Sequence, residues 1–249
     1  MSTPSFPQRF QNKVCLVTGG TAGIGRATAL RLAQEGGCVA VLGRDAQEGR
    51  EVVRTIRATG GQAIFISADV GKDAHLVRAV ERICKTWQRI DVLVNNAAMM
   101  TFEPILKLQP KAWDTLMHIN LRALFRLTQL CLPHMKGGAI VAVSSVHAHQ
   151  STPNVAPYAA SKGAIEAFVR GVSLEIPHTH ARINAVAPGA VDTAMLWSNP
   201  NVKSGKEKVT GQVGTPEELA AAICFVASSE ANFMNGTTLV LDGGRLASL

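Results

Sequence analysis

Val14-Cys15-Leu16-Val17-Thr18-Gly19-Gly20-Thr21-Ala22-Gly23-Ile24-Gly25-Arg26-Ala27-Thr28 joins a short, unbroken apolar run to a glycine-rich turn and then to a helical pattern. A strand buried on both faces is apolar at every position rather than at alternate ones, as a parallel sheet covered by helices requires. The glycines that follow let the backbone turn tightly and approach a phosphate. A helix starting there adds N–H groups and the positive end of its dipole. A glycine turn alone is a weak signal; a strand before it and a helix after it give it weight.

The same alternation runs through the chain. Val14–Thr18, Val39–Leu42, Ala63–Ser67, Asp91–Val94, Ala139–Ser144, Arg182–Ala187 and Thr238–Leu241 read as strands. Gly23–Glu35, Ala46–Ala58, Asp73–Thr86, Pro110–Met135, Ala156–Glu175 and Pro216–Ser228 read as helices. The last opens on Thr215-Pro216-Glu217-Glu218, an N-cap, a first-turn Pro and two acids at the positive dipole end. The pattern predicts an α/β fold, a single doubly wound, mostly parallel, Rossmann-like sheet with helices on both faces, in one domain over residues 1–249. Ligands of such sheets bind beyond the carboxyl ends of the strands, at the switch point. Residues 1–10 read as a loose arm. Residues 194–213, with Pro200, Gly205, Gly211 and three lysines, read as a lid over the substrate.

Bulk composition excludes several classes. Of the 249 residues, 47% are hydrophobic and 17% charged, which argues against disorder. No apolar run approaches the roughly 20 residues of a membrane helix. The N-terminus lacks the apolar core of a secretory signal, so no membrane association and a cytoplasmic location are expected. Five widely spaced cysteines without a CxxC read as reduced thiols, and the seven histidines show no ligand spacing, so no metal is expected. The net charge of +7 is scattered among acids, and aromatics are only 5%. That suits a phosphate-bearing small ligand rather than nucleic acid.

Tyr158 and Lys162 are four apart on a predicted helix and share a face. Tyr158 is the only tyrosine in the chain. A free phenol has a pKa of about 10, and a nearby ammonium is expected to lower it toward the range useful for acid–base catalysis. Ser144 and Ser145 end the fifth strand, where a hydroxyl can donate to a carbonyl oxygen gaining negative charge. Asn120 is polar amid apolar Leu116, Ile119, Leu121 and Leu124. The second strand ends in Gly43-Arg44-Asp45; an acid here suits the ribose of NAD and an Arg the 2′-phosphate of NADP. Asp45 with Glu48 reads as a capping pair, leaving Arg44 as the discriminating residue.

The TGxxxGxG spacing from Thr18 to Gly25 resembles the short-chain dehydrogenase/reductase family. Further motifs of that family follow in order over about Phe10 to Gly244: Asp69-Val70, Asn95-Asn96-Ala97-Ala98, Asn120, Ser144-Ser145, Tyr158-Ala-Ala-Ser-Lys162, Pro188-Gly189-Ala-Val191-Asp-Thr193 and Asp242-Gly243-Gly244. Ala98 departs from the usual Gly, and His147-Ala148 stand where small residues are common. The resemblance implies an NAD(P)-dependent oxidoreductase passing a hydride between nicotinamide and a carbonyl or secondary alcohol. Tyr158 would be the general acid/base and Ser145, rather than Ser144, would steady the oxygen. Lys162 would tune Tyr158 and bond the ribose, and Asn120 would complete a tetrad by holding a water linked to Lys162. It places the cofactor on Gly19, Thr21, Gly23, Ile24, Gly25, Arg44, Asp69, Val70, Asn96, Ala97, Tyr158, Lys162, Pro188, Gly189, Val191 and Thr193. Asp69 and Val70 would touch adenine, and Val191 and Thr193 the carboxamide. Arg44 favours NADP, with NAD the alternative because Ala22 stands where many NADP-preferring members carry a base.

The substrate is expected to be a small carbonyl or alcohol, held by Met99, Met100, residues 147–155 and the lid. A sugar or polyol dehydrogenase, using His147, His149 and Gln150, is the alternative. A nucleotide-sensing, non-catalytic relative is a further one, opposed by the presence of Asn120, Ser145, Tyr158 and Lys162 together. A homotetramer is expected. The helices Pro110–Met135 and Ala156–Glu175 carry more apolar positions than one stripe buries. Leu239, Leu241, Leu246 and Leu249 offer a second contact.

Overall fold

A computed structural model describes residues 7–206, 208–209 and 211–248. Seven parallel strands form one sheet: β1 (Val14–Thr18), β2 (Cys38–Gly43), β3 (Gln62–Ser67), β4 (Val92–Asn95), β5 (Gly138–Val143), β6 (Ala181–Pro188) and β7 (Thr238–Leu241). Their order is β3-β2-β1-β4-β5-β6-β7, so the chain reverses direction across the sheet between β1 and β4. The doubly wound reading holds, with element ends shifted by a residue or two.

The unbroken apolar runs explain the layers. Val14 and Leu16 of β1 face one core, and Cys15 and Val17 face the other. Helices α1 (Gly23–Gln34), α2 (Ala46–Ala58) and α9 (Pro216–Ala227) cover the second of these. Helices α3 (Asp73–Trp87), α5 (Ala123–Cys131) and α6 (Ala156–Glu175) cover the first. Each fully buried Leu, Ile or Val contributes about 1.5–3 kcal/mol. The start of α9 is the capping box read from sequence: Thr215 Oγ1 accepts from the Glu218 N–H (3.2 Å), and Glu218 Oε2 accepts from the Thr215 N–H (2.7 Å).

Three expectations are corrected. Pro110–Met135 is not one helix: α4 (Pro110–Met117) passes into a π turn (His118–Arg122), then α5, then a 3₁₀ turn at Leu132–His134. Asn120 lies in the π turn and its amide reaches sideways to the main chain of Met99. Such one-turn bulges let a helix re-aim a side chain without ending. Pro133, lacking an N–H, falls at the helix exit.

The supposed arm, so far as it is described, is anchored. The N–H of Phe10 donates to Glu35 O (2.9 Å), its ring is buried, and Arg9 pairs with buried Glu35 (2.6 Å) and with Glu230 (2.9 Å). Met1–Phe6 lie outside the described residues.

Most of the apolar surplus on the long helices is used within the chain. Leu116, Leu124, Leu127, Ile165 and Val169 are buried in it, leaving Phe125 (44% exposed) and Leu174 (89%) on the outside. Leu239 and Leu241 pack partly against the core; Leu249 lies outside the described residues.

After β6 come two short helices, α7 (Ala194–Trp197) and α8 (Pro200–Lys203). The ends of this segment are tied together, because Val191 bridges to Gly214 and the Asp192 N–H donates to Gly214 O (2.8 Å). Among the described residues no helix is long and apolar enough to cross a membrane, and no cluster of His, Cys, Asp or Glu could hold a metal. All five cysteines are free.

Candidate active site

At the carboxyl ends of the strands, over the β1–β4 switch point, lies a cavity of about 660 Å³. Its walls bring together Gly19, Thr21, Gly23, Ile24, Arg44, Asp69, Val70, Asn96, Ala97, Ser145, Tyr158, Lys162, Pro188, Gly189, Val191 and Thr193. Two residues expected in it stand behind it. Gly25 is a packing residue: a Cβ there would meet Gly19 O at 2.2 Å and Asn96 Nδ2 at 2.4 Å. Asn120 is buried, and its amide is taken up by Met99 N–H (2.8 Å), Met99 O (3.0 Å) and Ser161 Oγ (3.0 Å).

The glycine loop is shaped for a diphosphate. Gly19 has φ +61°, which favours glycine, and a side chain there would strike Asn96 and Ala97. The α1 N-terminus has Ala22 at its cap, no side-chain cap bond and no acid in its first turn, and Ala22, Gly23 and Ile24 line the cavity, which suits this helix end to an anionic ligand. Asn96 works from below: its Nδ2 donates to Thr18 O (3.0 Å), and the Asn96 and Ala97 N–H groups donate to Thr18 Oγ1 (3.0 Å each). Asn96 thus holds the loop in place as well as lining the cavity. At the far end, Asp45 Oδ1 accepts from the N–H groups of Gln47 (2.9 Å) and Glu48 (3.0 Å), capping α2. That oxygen is engaged in the cap, and Arg44 and Asp45 both line the cavity. Asp69 is steadied by His75, whose Nδ1 accepts the Asp69 N–H (3.0 Å). These features fit a nicotinamide dinucleotide laid from β2 across to β6.

Tyr158 and Lys162 project from one face of α6 into the other half of the cavity, and Ser145 from the end of β5 meets them. The Ser145 hydroxyl stands close enough to the Tyr158 phenol to favour its ionised form, and Lys162 Nζ donates to Val143 O (2.6 Å) and lies 5.3 Å from the Tyr158 ring centroid. Ser144 turns away, donating to Glu166 Oε1 (2.8 Å), so the two serines separate as strand alternation requires. The expected lowering of the Tyr158 pKa is corrected. Burial pushes the phenol up to about 12, opposed by the Ser145 hydroxyl, and burial pushes Lys162 down to about 7. A lysine so desolvated carries only part of its charge near neutrality and cannot offset the cost of a buried phenolate.

That shift predicts a stability profile. Unfolded Lys162 titrates at its ordinary 10.5 and folded Lys162 at about 7, so between these the unfolded chain holds more protons and stability rises with pH. From about pH 7 to pH 9 this group alone adds about 2 kcal/mol. Above pH 10 the raised Tyr158 acts in the opposite sense, because the unfolded phenol ionises first. Urea unfolding should therefore show wild type gaining on Lys162→Met over the first interval. Parallel profiles for the two proteins would contradict it.

Met99, Met100, Met195 and Leu196 give the cavity an apolar wall beside Tyr158, and the His147 ring stands edge-on to that phenol at 5.7 Å. Of the histidines proposed for sugar binding only His147 borders the cavity; His149 pairs with Glu166 (3.2 Å) and Gln150 is exposed. Thr115 and Arg245 also line the cavity and were not singled out from sequence. Neither sits in a pattern that would mark it: Thr115 is one polar residue of a helix, and Arg245 follows a glycine turn.

Comparison with known proteins gives the same answer. The short chain dehydrogenase family model matches residues 13–203. Cyclopentanol dehydrogenase of Comamonas testosteroni is 34% identical over 96% of this chain and 99% of its own. The 3-oxoacyl-(acyl-carrier-protein) reductase of Thermotoga maritima is 34% identical over 95% and 98%. A short chain dehydrogenase of Burkholderia cenocepacia, solved in complex with NADP, superposes with a TM-score of 0.88 at 33% identity, over 94% of this chain and 98% of that one. Motif order, strand order and relatives agree over nearly the full length, and the chain belongs to the short-chain dehydrogenase/reductase family of NAD(P)-dependent oxidoreductases.

Proposed function

We propose that the protein interconverts a small, largely apolar ketone and its secondary alcohol with NADP(H). The observation that carries this is the meeting of the Tyr158 and Ser145 hydroxyls and Lys162 at one end of a cavity whose other end is the glycine loop. The bound nicotinamide supplies or accepts the hydride. In reduction, Tyr158, held protonated by burial, gives its hydroxyl proton to the substrate oxygen. Ser145 donates to the same oxygen as its negative charge grows. Lys162 stands beside the phenol and faces the cavity, where a ribose hydroxyl would lie.

A second cavity of about 10 Å³, bounded by Thr18, Asn95, Asn120 and Lys162, has room for a single water. It would pass a proton on from Lys162. Because the Asn120 amide is taken up elsewhere, any bond from this residue to that water comes from the main chain of the π turn.

Arg44 with the engaged Asp45 supports NADP over NAD, as does the NADP bound by the Burkholderia relative. The methionine and leucine wall supports an apolar substrate, and the similarity to cyclopentanol dehydrogenase points to alicyclic alcohols. The test is a panel of cyclic and linear ketones, their alcohols, acyl thioesters and sugars with both cofactors, followed at the nicotinamide absorbance band. Turnover of apolar ketones with NADPH is expected; turnover of sugars alone, or of nothing, would contradict the reading.

Two further proposals concern the surroundings. Residues 194–213, tied at their base by the Val191–Gly214 bridge and carrying Met195 and Leu196 on the cavity wall, act as a lid. Hydrogen exchange there should be fast in the free protein and slow with NADPH bound. Strong protection without ligand would refute the lid.

A homotetramer would cover two apolar sets, exposed Phe125 with half-buried Phe168 on α5 and α6, and exposed Phe225 with Phe233 around α9. Light scattering should give four times the 26.4 kDa chain. A monomer would refute it, and a dimer would leave one interface.

A further inference from the structure

We propose that Glu166 is a positioning residue, the clamp that holds Ser145 and Lys162 in register. The inference deepens the reading of the active site given above and rests on it. Glu166 is buried on α6, one turn beyond Lys162, among Ile165 and Val169 of the core. A buried carboxylate is costly and persists only where its oxygens are partnered. Here each oxygen has a separate partner. Oε1 accepts the Ser144 hydroxyl (2.8 Å), and Oε2 pairs with His149 Nε2 (3.2 Å).

These partners are the two ends of the segment from Ser144 to His149, which carries Ser145 and His147 into the cavity. Between them the segment is a tight turn. Ser145 Oγ accepts the His147 N–H (3.2 Å), and the Ala148 N–H donates to Ser145 O (2.9 Å). Holding both ends therefore fixes the direction of the Ser145 hydroxyl.

The same clamp reaches Lys162. The Ser144 hydroxyl lies 3.3 Å from Lys162 O, and the residue before Ser144 is Val143, whose carbonyl accepts from Lys162 Nζ (2.6 Å). Strand β5 and helix α6 are thus cross-tied twice, once through Glu166 and once through Lys162. Loss of Glu166 would release Ser144, let the strand end drift and move Ser145 relative to Tyr158. Small displacements of this kind cost roughly ten- to a hundred-fold in rate.

The side chain must offer a bond to each of two partners at this length. Gln can accept from Ser144 through its oxygen and offer its nitrogen to the His149 ring; Ala can do neither.

The test compares Glu166→Ala, Glu166→Gln and Tyr158→Phe with wild type, using NADPH and the fastest ketone of the panel. Glu166→Ala is expected to lower kcat by roughly ten- to a hundred-fold, with the NADPH Kd from fluorescence titration unchanged. Glu166→Gln is expected to recover most of the rate. Wild-type kcat in Glu166→Ala, a Gln variant as slow as Ala, or a loss confined to the NADPH Kd would overturn the proposal. Should Glu166→Ala not fold, Ser144→Ala cuts the same tie and must show the same fall in kcat; an unchanged kcat there overturns the clamp. Full turnover by Tyr158→Phe would instead overturn the reading of the site itself, so the two failures are distinguishable.

Discussion

Replacing Tyr158 with Phe is expected to lower turnover by about 10²–10⁴-fold while leaving fold and cofactor binding intact, since that is the range general acid–base catalysis supplies. The substitution removes one oxygen. The ring stays in its apolar cluster with Leu116 and Val155, packed on by Met99 and Met100, so no cavity opens there. The hydroxyl contributes nothing to the glycine loop or to Arg44, so NADPH affinity should change little. Ser145 remains and can still donate to the substrate oxygen, which is why some residual rate is expected. Steady-state kinetics with fluorescence titration of NADPH checks the split. Near-normal kcat would remove Tyr158 from the chemistry; loss of NADPH binding alone would make it a cofactor contact only.

The second large effect is expected at Arg44. Arg44→Ala should weaken NADP(H) by roughly ten- to a hundred-fold and NAD(H) only slightly, because charge-assisted bonds contribute about 1.5–3 kcal/mol. The cofactor preference turns on Asp45. If that carboxylate faced the ribose, NAD would be favoured and a 2′-phosphate repelled. Asp45 lines the same cavity, but its Oδ1 is taken by the cap on α2 through Gln47 and Glu48. Comparing kcat/KM for both cofactors in both proteins decides the matter. Equal weakening, or a wild-type preference for NAD, would contradict the assignment.

The sheet was legible because its strands are apolar on both faces, so period and length alone placed β1, β5 and β6 nearly to the residue. The glycine loop was legible because phosphate approach needs glycine at fixed spacing. Asp45 was legible as a cap because capping is local, reading only two residues ahead.

What was not legible depended on distant partners. Nothing near Asn120 in sequence announces the π turn, whose amide is fixed by Met99, a residue on another element. Arg9 and Phe10 look like a polar tail until Glu35 and Glu230 are brought to them. The Tyr158 pKa was misread because four-residue spacing shows that a lysine is near, but not that both groups are buried. Gly25 looked like a cofactor contact, whereas its lack of a side chain serves the close approach of Gly19 and Asn96.

The central claim is that Tyr158, Ser145 and Lys162 direct a hydride from NADPH onto a carbonyl carbon. The most direct test is reduction of the best panel ketone with NADPH deuterated at nicotinamide C4, the product read by mass spectrometry and NMR. The account predicts one deuterium on the carbinol carbon of a single alcohol enantiomer with wild type, and a rate lower by about 10²–10⁴-fold with Tyr158→Phe. Alcohol without deuterium at that carbon, or the same deuterated product formed equally fast by Tyr158→Phe, would contradict it.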